Sequence, residues 1–268
     1  MITWFSRKEK EPSVSTKNDG KDFISLAAHQ LRSPLSVIKW YTEILLDGDA
    51  GELTIDQRKY LTVIETSNQQ AIDLVRSLLN VSRLDLGTFS ISPEDLSVGG
   101  LVIDVKNILA NDASKRNVEI VYEEGAGVFS ITIDKHICIL IIKHLISNAI
   151  IFSQEGGVVT VSTALETKHS KIGSLFIADE SILLTVTDTG LGIPEKDKSK
   201  IFTKMFRGSN VRDSEGSDSG LGLYITKTIV DIFGGQIWFE SEEGKGTTFY
   251  VAFPTEGMRK KEGTTVLE

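Results

Sequence analysis

Asp188-Thr189-Gly190-Leu191-Gly192-Ile193-Pro194 follows directly on the run Leu183-Leu184-Thr185-Val186-Thr187. The join reads as a buried strand opening into a glycine-rich loop. Downstream, Gly220-Leu221-Gly222-Leu223 opens a stretch with helical apolar spacing, and upstream Asn148-Ala149 lies in another. Each piece alone is weak, because paired glycines and an Asp near a Gly are ordinary turn chemistry. Together they describe a nucleotide site. Glycines let backbone N–H groups come close to phosphates, and a helix starting at Gly222 or Leu223 aims its positive end at them. The Asn148 amide oxygen is a suitable hard ligand for Mg²⁺. Asp188 can accept a hydrogen bond from an amino group such as that of adenine.

Around this centre the sequence alternates between strand and helix. Strands are predicted at 119–122, 158–163, 183–187 and 235–240, and helices at 100–115, 134–151 and 222–233. A closing hairpin over 236–253 turns near Gly244 and Gly246. That is an α+β layer architecture. Residues 207–219 have no apolar period and are rich in Ser, Gly and Asp, as in a mobile lid.

The first third of the chain has a different texture. Phe23, Leu26, Ala27, Leu31, Leu35, Ile38, Tyr41, Leu45 and Leu46 recur at helical spacing, which predicts an amphipathic helix over 23–47. Asp47-Gly48-Asp49-Ala50-Gly51 breaks it, and Thr54 caps a second helix with Asp56 and Gln57 in its first turn. Tyr60, Leu61, Ile64, Ala71, Val75, Leu78 and Leu79 form a near-heptad seam that runs to Leu86, before Gly87. Two helices cannot bury both stripes. Pairing two hairpins into a four-helix bundle would, so a homodimer is expected. The domains are therefore read as a flexible leader at 1–22, the helical hairpin at 23–87, the nucleotide domain at 88–256 and a tail at 257–268.

Within the first helix lies Ala28-His29-Gln30-Leu31-Arg32-Ser33-Pro34-Leu35. A lone helical histidine is usually a surface residue. Pro34 alters that reading, because a mid-helix proline removes the hydrogen bond to the Gln30 carbonyl at a cost of about 3 kcal/mol. Something should require the resulting bend, and an imidazole one turn before it can meet a phosphoryl group, with Ser33 on the same face.

Composition narrows the class. The 29 Lys and Arg against 37 Asp and Glu leave a formal charge of −8, which disfavours a general nucleic-acid binder. One cysteine, Cys138 in an apolar run, rules out a disulfide framework and fits a reduced cytoplasmic setting. The apolar runs fall short of the roughly 20 residues of a membrane span, so any anchor is expected upstream of this chain. Leu267-Glu268 reads as a cloning remnant.

The order and spacing of these motifs resemble the sensor histidine kinases of two-component signalling, over about residues 23–254. The resemblance covers an H-box at His29, an N-box at Asn148, glycine boxes at Asp188 to Gly192 and Gly220 to Gly222, and a phenylalanine box around Phe202 and Phe206. Gly244-Lys245-Gly246-Thr247-Thr248-Phe249 also matches. It implies a Bergerat-type α/β-sandwich domain that binds ATP under a lid, with Mg²⁺ near Asn148. It also implies attack of His29 on the γ-phosphorus, then transfer to an aspartate on a response-regulator receiver domain. By the same likeness Asp188 reads adenine, and Gly190, Gly192, Gly220, Leu221 and Gly222 shape the backbone around the nucleotide. Arg207 and Lys204 approach the phosphates, while Phe202 and Phe206 anchor the lid.

This chain departs from the family pattern at several positions. The family usually has an acidic residue after the histidine, where this chain has Gln30, and an amide cannot serve as a base. Ser33 stands where Thr or Asn usually orients water for dephosphorylating the regulator. His144 and Ile151 replace a common Asn and Lys around Asn148. The expected activity is an ATP-dependent histidine kinase, with regulator phosphatase activity beside it. The competing reading keeps the fold but makes the chain a nucleotide-binding scaffold, or a phosphatase-dominant kinase with weak autophosphorylation. An ATPase like that of DNA gyrase is disfavoured because it leaves the His29 hairpin without a purpose.

Overall fold

The computed structural model describes residues 16–125, 130–211 and 219–268. Helices α1 (Thr16–Asp47) and α2 (Ile55–Leu86) form the expected hairpin. The α2 boundaries follow from local chemistry. Thr54 Oγ1 accepts from the Gln57 N–H at 3.2 Å, and Gln57 Oε1 accepts from the Thr54 N–H at 2.9 Å, a reciprocal capping box. At the other end Gly87 takes φ 67° and its N–H bonds back to the last turn. Helix α1 begins before the expected residue 23, so part of the supposed leader is helical. Adding turns to an existing helix costs far less than starting one. The helix runs through Pro34 without a break, and buried Asn68 of α2 donates to the Leu35 carbonyl at 3.0 Å.

The hairpin buries little within one chain. Its internal cluster is Ala28, Val75 and Leu79 with Leu35 packed against them. Leu31, Ile38, Tyr41, Tyr60 and Ile64 stay exposed, Tyr60 at 64%.

The second domain runs β1 (Glu94–Ser97), α3 (Val98–Lys115), β2 (Glu119–Glu124), β3 (Ser130–Ile133), α4 (Lys135–Phe152), β4 (Val158–Glu166), β5 (Lys171–Ile172), β6 (Leu175–Phe176), β7 (Ser181–Asp188), α5 (Gly222–Ile232), β8 (Gln236–Glu242) and β9 (Gly246–Pro254). A five-stranded sheet has the order β2-β4-β7-β9-β8, with β2 and β4 parallel and the other pairs antiparallel. The two-residue strand period sorts its faces. Val159, Val161, Ile182, Leu184, Val186, Phe249, Val251 and Phe253 point into the core made with α3, α4 and α5. Leu183, Trp238 and Ala252 point the other way, under Ile172 and Leu175 of the small β5–β6 hairpin.

By length and composition alone α4 is apolar enough to cross a membrane, but 56% of it is buried inside the domain. Cys138 on this helix is fully buried, and burial pushes its thiol far above the ordinary range. The segment expected as a tail is packed. Met258 and Leu267 are buried, and main-chain bonds join Lys261 to Ile91 and Ser90 to Thr265.

Candidate nucleotide site

Asp188 ends β7, the central strand of the sheet, opposite Thr247 on β9. Its Oδ1 accepts from the N–H groups of Gly190 at 2.8 Å and Thr247 at 3.2 Å. Among the described residues, none donates to Oδ2, the oxygen left for a ligand amino group. Burial pushes this carboxyl above its ordinary range, and the two N–H bonds only partly offset that. Asp188 lines a cavity of about 90 Å³ with Asn148, Ala149, Phe152, Ile193, Phe206, Arg207, Leu223, Thr247 and Phe249, among others. Apolar walls with one aimed carboxylate suit a flat heteroaromatic base.

The glycines beside Asp188 are required by packing. A Cβ on Gly190 would lie 2.1 Å from the Phe152 carbonyl oxygen. One on Gly192, at φ +62°, would lie 2.1 Å from the Glu242 carbonyl oxygen. Their lack of a side chain lets the loop nest between α4 and the β8–β9 turn, and so brings Asp188 to the cavity. Gly220 likewise packs on the Phe206 backbone, and Leu221 is a core residue.

The lower edge of the lid is tied down. Asp197 lies in a short 3-10 helix (Glu195–Lys200), and its Oδ2 accepts from the Ser209 N–H at 2.7 Å and hydroxyl at 2.8 Å. These bonds hold its carboxyl below the ordinary value. Asn210 Nδ2 donates to the Gly192 carbonyl at 3.0 Å. Both ties hold Arg207, Gly208 and Asn210 along the cavity wall. The rest of the expected lid, residues 212–218, lies outside the described residues.

Asn148 also lines a second, larger cleft of about 380 Å³ between α4 and α2, which includes Asp73, Arg76, Ser77 and Asn80 of the hairpin. Asn148 is 8% exposed, and among the described residues none hydrogen-bonds its amide. Ser219 and Gly222 bring the N-terminus of α5 to this cleft, and no side chain caps that helix. Open N–H groups at a helix start favour an anion. His144 also lines the cleft, and its Nδ1 lies 3.2 Å from Thr226 Oγ1 on α5. Burial, with help from Lys143, lowers its pKa to about 4, so it is neutral at pH 7. It joins α4 to α5 beside Gly222, whose space it fills.

Phe202, expected to anchor the lid, and Lys204, expected at the phosphates, line neither cavity. Phe202 packs edge-on against Phe239 with ring centroids 6.0 Å apart, away from both cavities. Lys204 bonds Asp85 of α2 at 2.7 Å and sits 4.8 Å from the Tyr224 ring centroid. An ammonium on a flexible stem takes the partner in reach, and here that partner is the hairpin. Gln30 and Ser33 are both exposed on α1. Thr247, Asn210 and Asp197 are contributors that sequence reasoning missed. Thr247 sat within a matched motif, whereas the other two carry no local signal.

Comparison with known proteins agrees with this geometry. Residues 133–257 match the model of the histidine kinase-, DNA gyrase B- and HSP90-like ATPases. Residues 21–87 match the His Kinase A (phospho-acceptor) domain. A sensor-like histidine kinase of Rhizobium meliloti, itself uncharacterised, is 30% identical over 92% of this chain and 45% of its own length. The sensor histidine kinase WalK of Bacillus subtilis is 30% identical over 87% of this chain and 36% of its own. The chain thus spans less than half the length of these curated relatives. Full-length ShkA, solved in complex with AMPPNP, shares the fold with a TM-score of 0.68 at 22% identity, over 90% of this chain and 47% of ShkA.

Proposed function

Because this chain belongs to the sensor histidine kinase family, we propose that it uses ATP to phosphorylate His29 and then passes the phosphoryl group to an aspartate of a response-regulator receiver domain. The observation that carries this reading is that Asn148 lines both cavities. One is apolar and ends on Asp188, suited to adenine. The other opens beside an uncapped helix start and faces the hairpin that bears His29.

In this mechanism Asp188 Oδ2 accepts from the adenine amino group and the α5 N–H groups offset phosphate charge, while Arg207, expected at the phosphates, lines the base cavity. The imidazole of His29 attacks the γ-phosphorus in line, the bond to the β-phosphate oxygen breaks, and ADP leaves. The protein's contribution is positioning and charge stabilisation. Mg²⁺ would be held by the phosphates and the free Asn148 amide oxygen, and when bound it neutralises phosphate charge. Gln30 cannot take the imidazole proton, so another group or water takes it, and the rate is reduced. Ser33, exposed on α1, supports a second activity, orienting water for regulator dephosphorylation. The open apolar face of the hairpin supports a homodimer, and an ATP substrate argues for a cytoplasmic reaction.

The test is incubation with γ-labelled Mg-ATP, comparing wild type with His29→Gln. Acid-labile, alkali-stable label that the substitution abolishes is expected. ATP binding without label would favour the nucleotide-binding scaffold instead.

A further inference from the structure

Arg76 on α2 lines two hollows at once. One is the cleft of about 380 Å³ that holds Asn148 and the start of α5. The other is a hollow of about 220 Å³ on the hairpin, walled on the α1 side by Arg32, Ser36 and Lys39. His29 precedes Arg32 by three residues and Ser36 by seven, a spacing that sets the three positions along one face of α1. Arg76 therefore stands between the cleft suited to phosphates and the face of α1 to which His29 belongs.

A half-exposed arginine on a helix is ordinarily a solvated charge, so its surroundings decide. The Arg76 side chain is 50% exposed, and among the described residues its ion pair is with Asp73, three residues earlier, at 3.7 Å. A pair that long and that open to water holds a guanidinium weakly. Lys143 of α4 lines the same cleft, is exposed, and makes no ion pair or hydrogen bond among the described residues. The start of α5 adds uncapped N–H groups, and Asn148, 8% exposed, has no partner for its amide. Glu268 also lines the cleft, but its carboxylate is already engaged by Arg32 at 2.8 Å and Arg83 at 3.1 Å. Two weakly engaged cations, an open helix start and a buried amide without a partner thus meet in one place. Their common complement is a polyanion rich in acceptor oxygens.

We propose that Arg76 is a phosphate-binding residue supplied by the hairpin, its guanidinium taking the γ-phosphoryl oxygens of ATP. Its fork of N–H donors matches two phosphate oxygens at once, while Lys143 raises the potential of the cleft as a point charge. During transfer to His29 charge spreads over the equatorial oxygens of the phosphoryl group, and a cation fixed on the acceptor's own hairpin stays beside it. Arg76 exchanges no proton in this step. The nucleotide is gripped by both domains, and only one that carries a γ-phosphate reaches α2.

The inference rests on the proposed use of ATP to phosphorylate His29. Its test compares wild type with Arg76→Met and Arg76→Lys in the full chain. Affinities for Mg-ADP and for Mg-AMPPNP, which keeps a γ-phosphate, are read by calorimetry beside kcat/KM for His29 labelling and Tm. Arg76→Met should lower both AMPPNP affinity and kcat/KM by about 10- to 150-fold, the worth of one hydrogen bond to a charged group. ADP affinity should stay within about twofold and Tm should not move. Arg76→Lys, which keeps the charge and loses the fork, should recover part of the loss. Equal AMPPNP affinity in Arg76→Met and wild type would overturn the proposal. A matching loss of ADP affinity, or a fall in Tm, would mark a structural role and overturn it as well. A wild type that prefers AMPPNP over ADP through Arg76 yet takes no label would instead refute the His29 reading and leave the phosphate contact standing.

Discussion

Asp188→Asn separates the recognition role proposed for this residue from its structural one. Asn keeps an Oδ1 that can still accept from the Gly190 and Thr247 N–H groups, so the loop connecting β7 to the 3-10 helix should hold its shape. At the second position, however, an acceptor becomes an NH₂ donor facing a ligand amino group. Losing one charge-assisted hydrogen bond there costs about 2–3 kcal/mol, or roughly 30- to 150-fold in affinity. The effect on stability runs the other way. The folded-state pKa of Asp188 is raised by burial, so its ionised form is a cost to the fold at neutral pH. That cost is absent below the unfolded pKa, where the carboxyl is protonated in both states. It sets in as pH rises through the unfolded pKa, and a neutral amide avoids it. Calorimetric titration with ATP and a thermal melt at pH 7 measure the two effects. Weakened binding with an equal or higher Tm is expected. Affinity within threefold of wild type would refute the assignment of Oδ2 to the base, and a large fall in Tm would refute the claim that Asn preserves the loop.

Three further outcomes follow from other residues. Gln30→Glu supplies a base beside His29 and should speed autophosphorylation by at least about tenfold without tightening ATP binding; an unchanged rate in stopped-time labelling would remove the account of Gln30. His144 has its pKa lowered from 6.5 to about 4, so the unfolded state binds a proton that the folded state refuses as pH falls between those values. Stability should drop across that window by about 3 kcal/mol at most, and His144→Gln should flatten the slope; parallel denaturation curves would contradict it. Asp197→Ala removes both bonds to Ser209 and should raise KM for ATP by roughly 5- to 150-fold, the net worth of two lost hydrogen bonds. A KM equal to wild type would show that the lid edge is held by other contacts.

The parts of this chain that could be read from sequence are those fixed by neighbouring residues. Thr54 with Gln57 and the glycine at 87 specify the ends of α2, because capping operates within one turn. The alternating apolar residues of β7 and β9 specify which face of the sheet is buried. The position of Asp188 at the end of β7 is legible because its loop carries its own punctuation. The packing of residues 261–268 on the hairpin is not legible in sequence, because these residues have no apolar period and their partners Asn80, Arg83 and Arg32 lie at least 183 residues away. Lys204 was assigned to the phosphates from its place beside the phenylalanine box, while its partner Asp85 is 119 residues distant. Gly190 and Gly192 were identified for a different reason from the one the fold imposes. Open backbone looks the same in sequence whether it makes room for a phosphate or for a carbonyl of the protein.

Cys138, the only thiol in the chain, is sealed in the core by α4 and holds its proton tightly. Reagents that seek a thiolate therefore find none at ordinary pH. The wild-type protein is thus a blank background for labelling. Lys260→Cys, at an exposed position, would therefore give the protein a sole reactive site, and a fluorophore there would report on residues 258–268 without competing label.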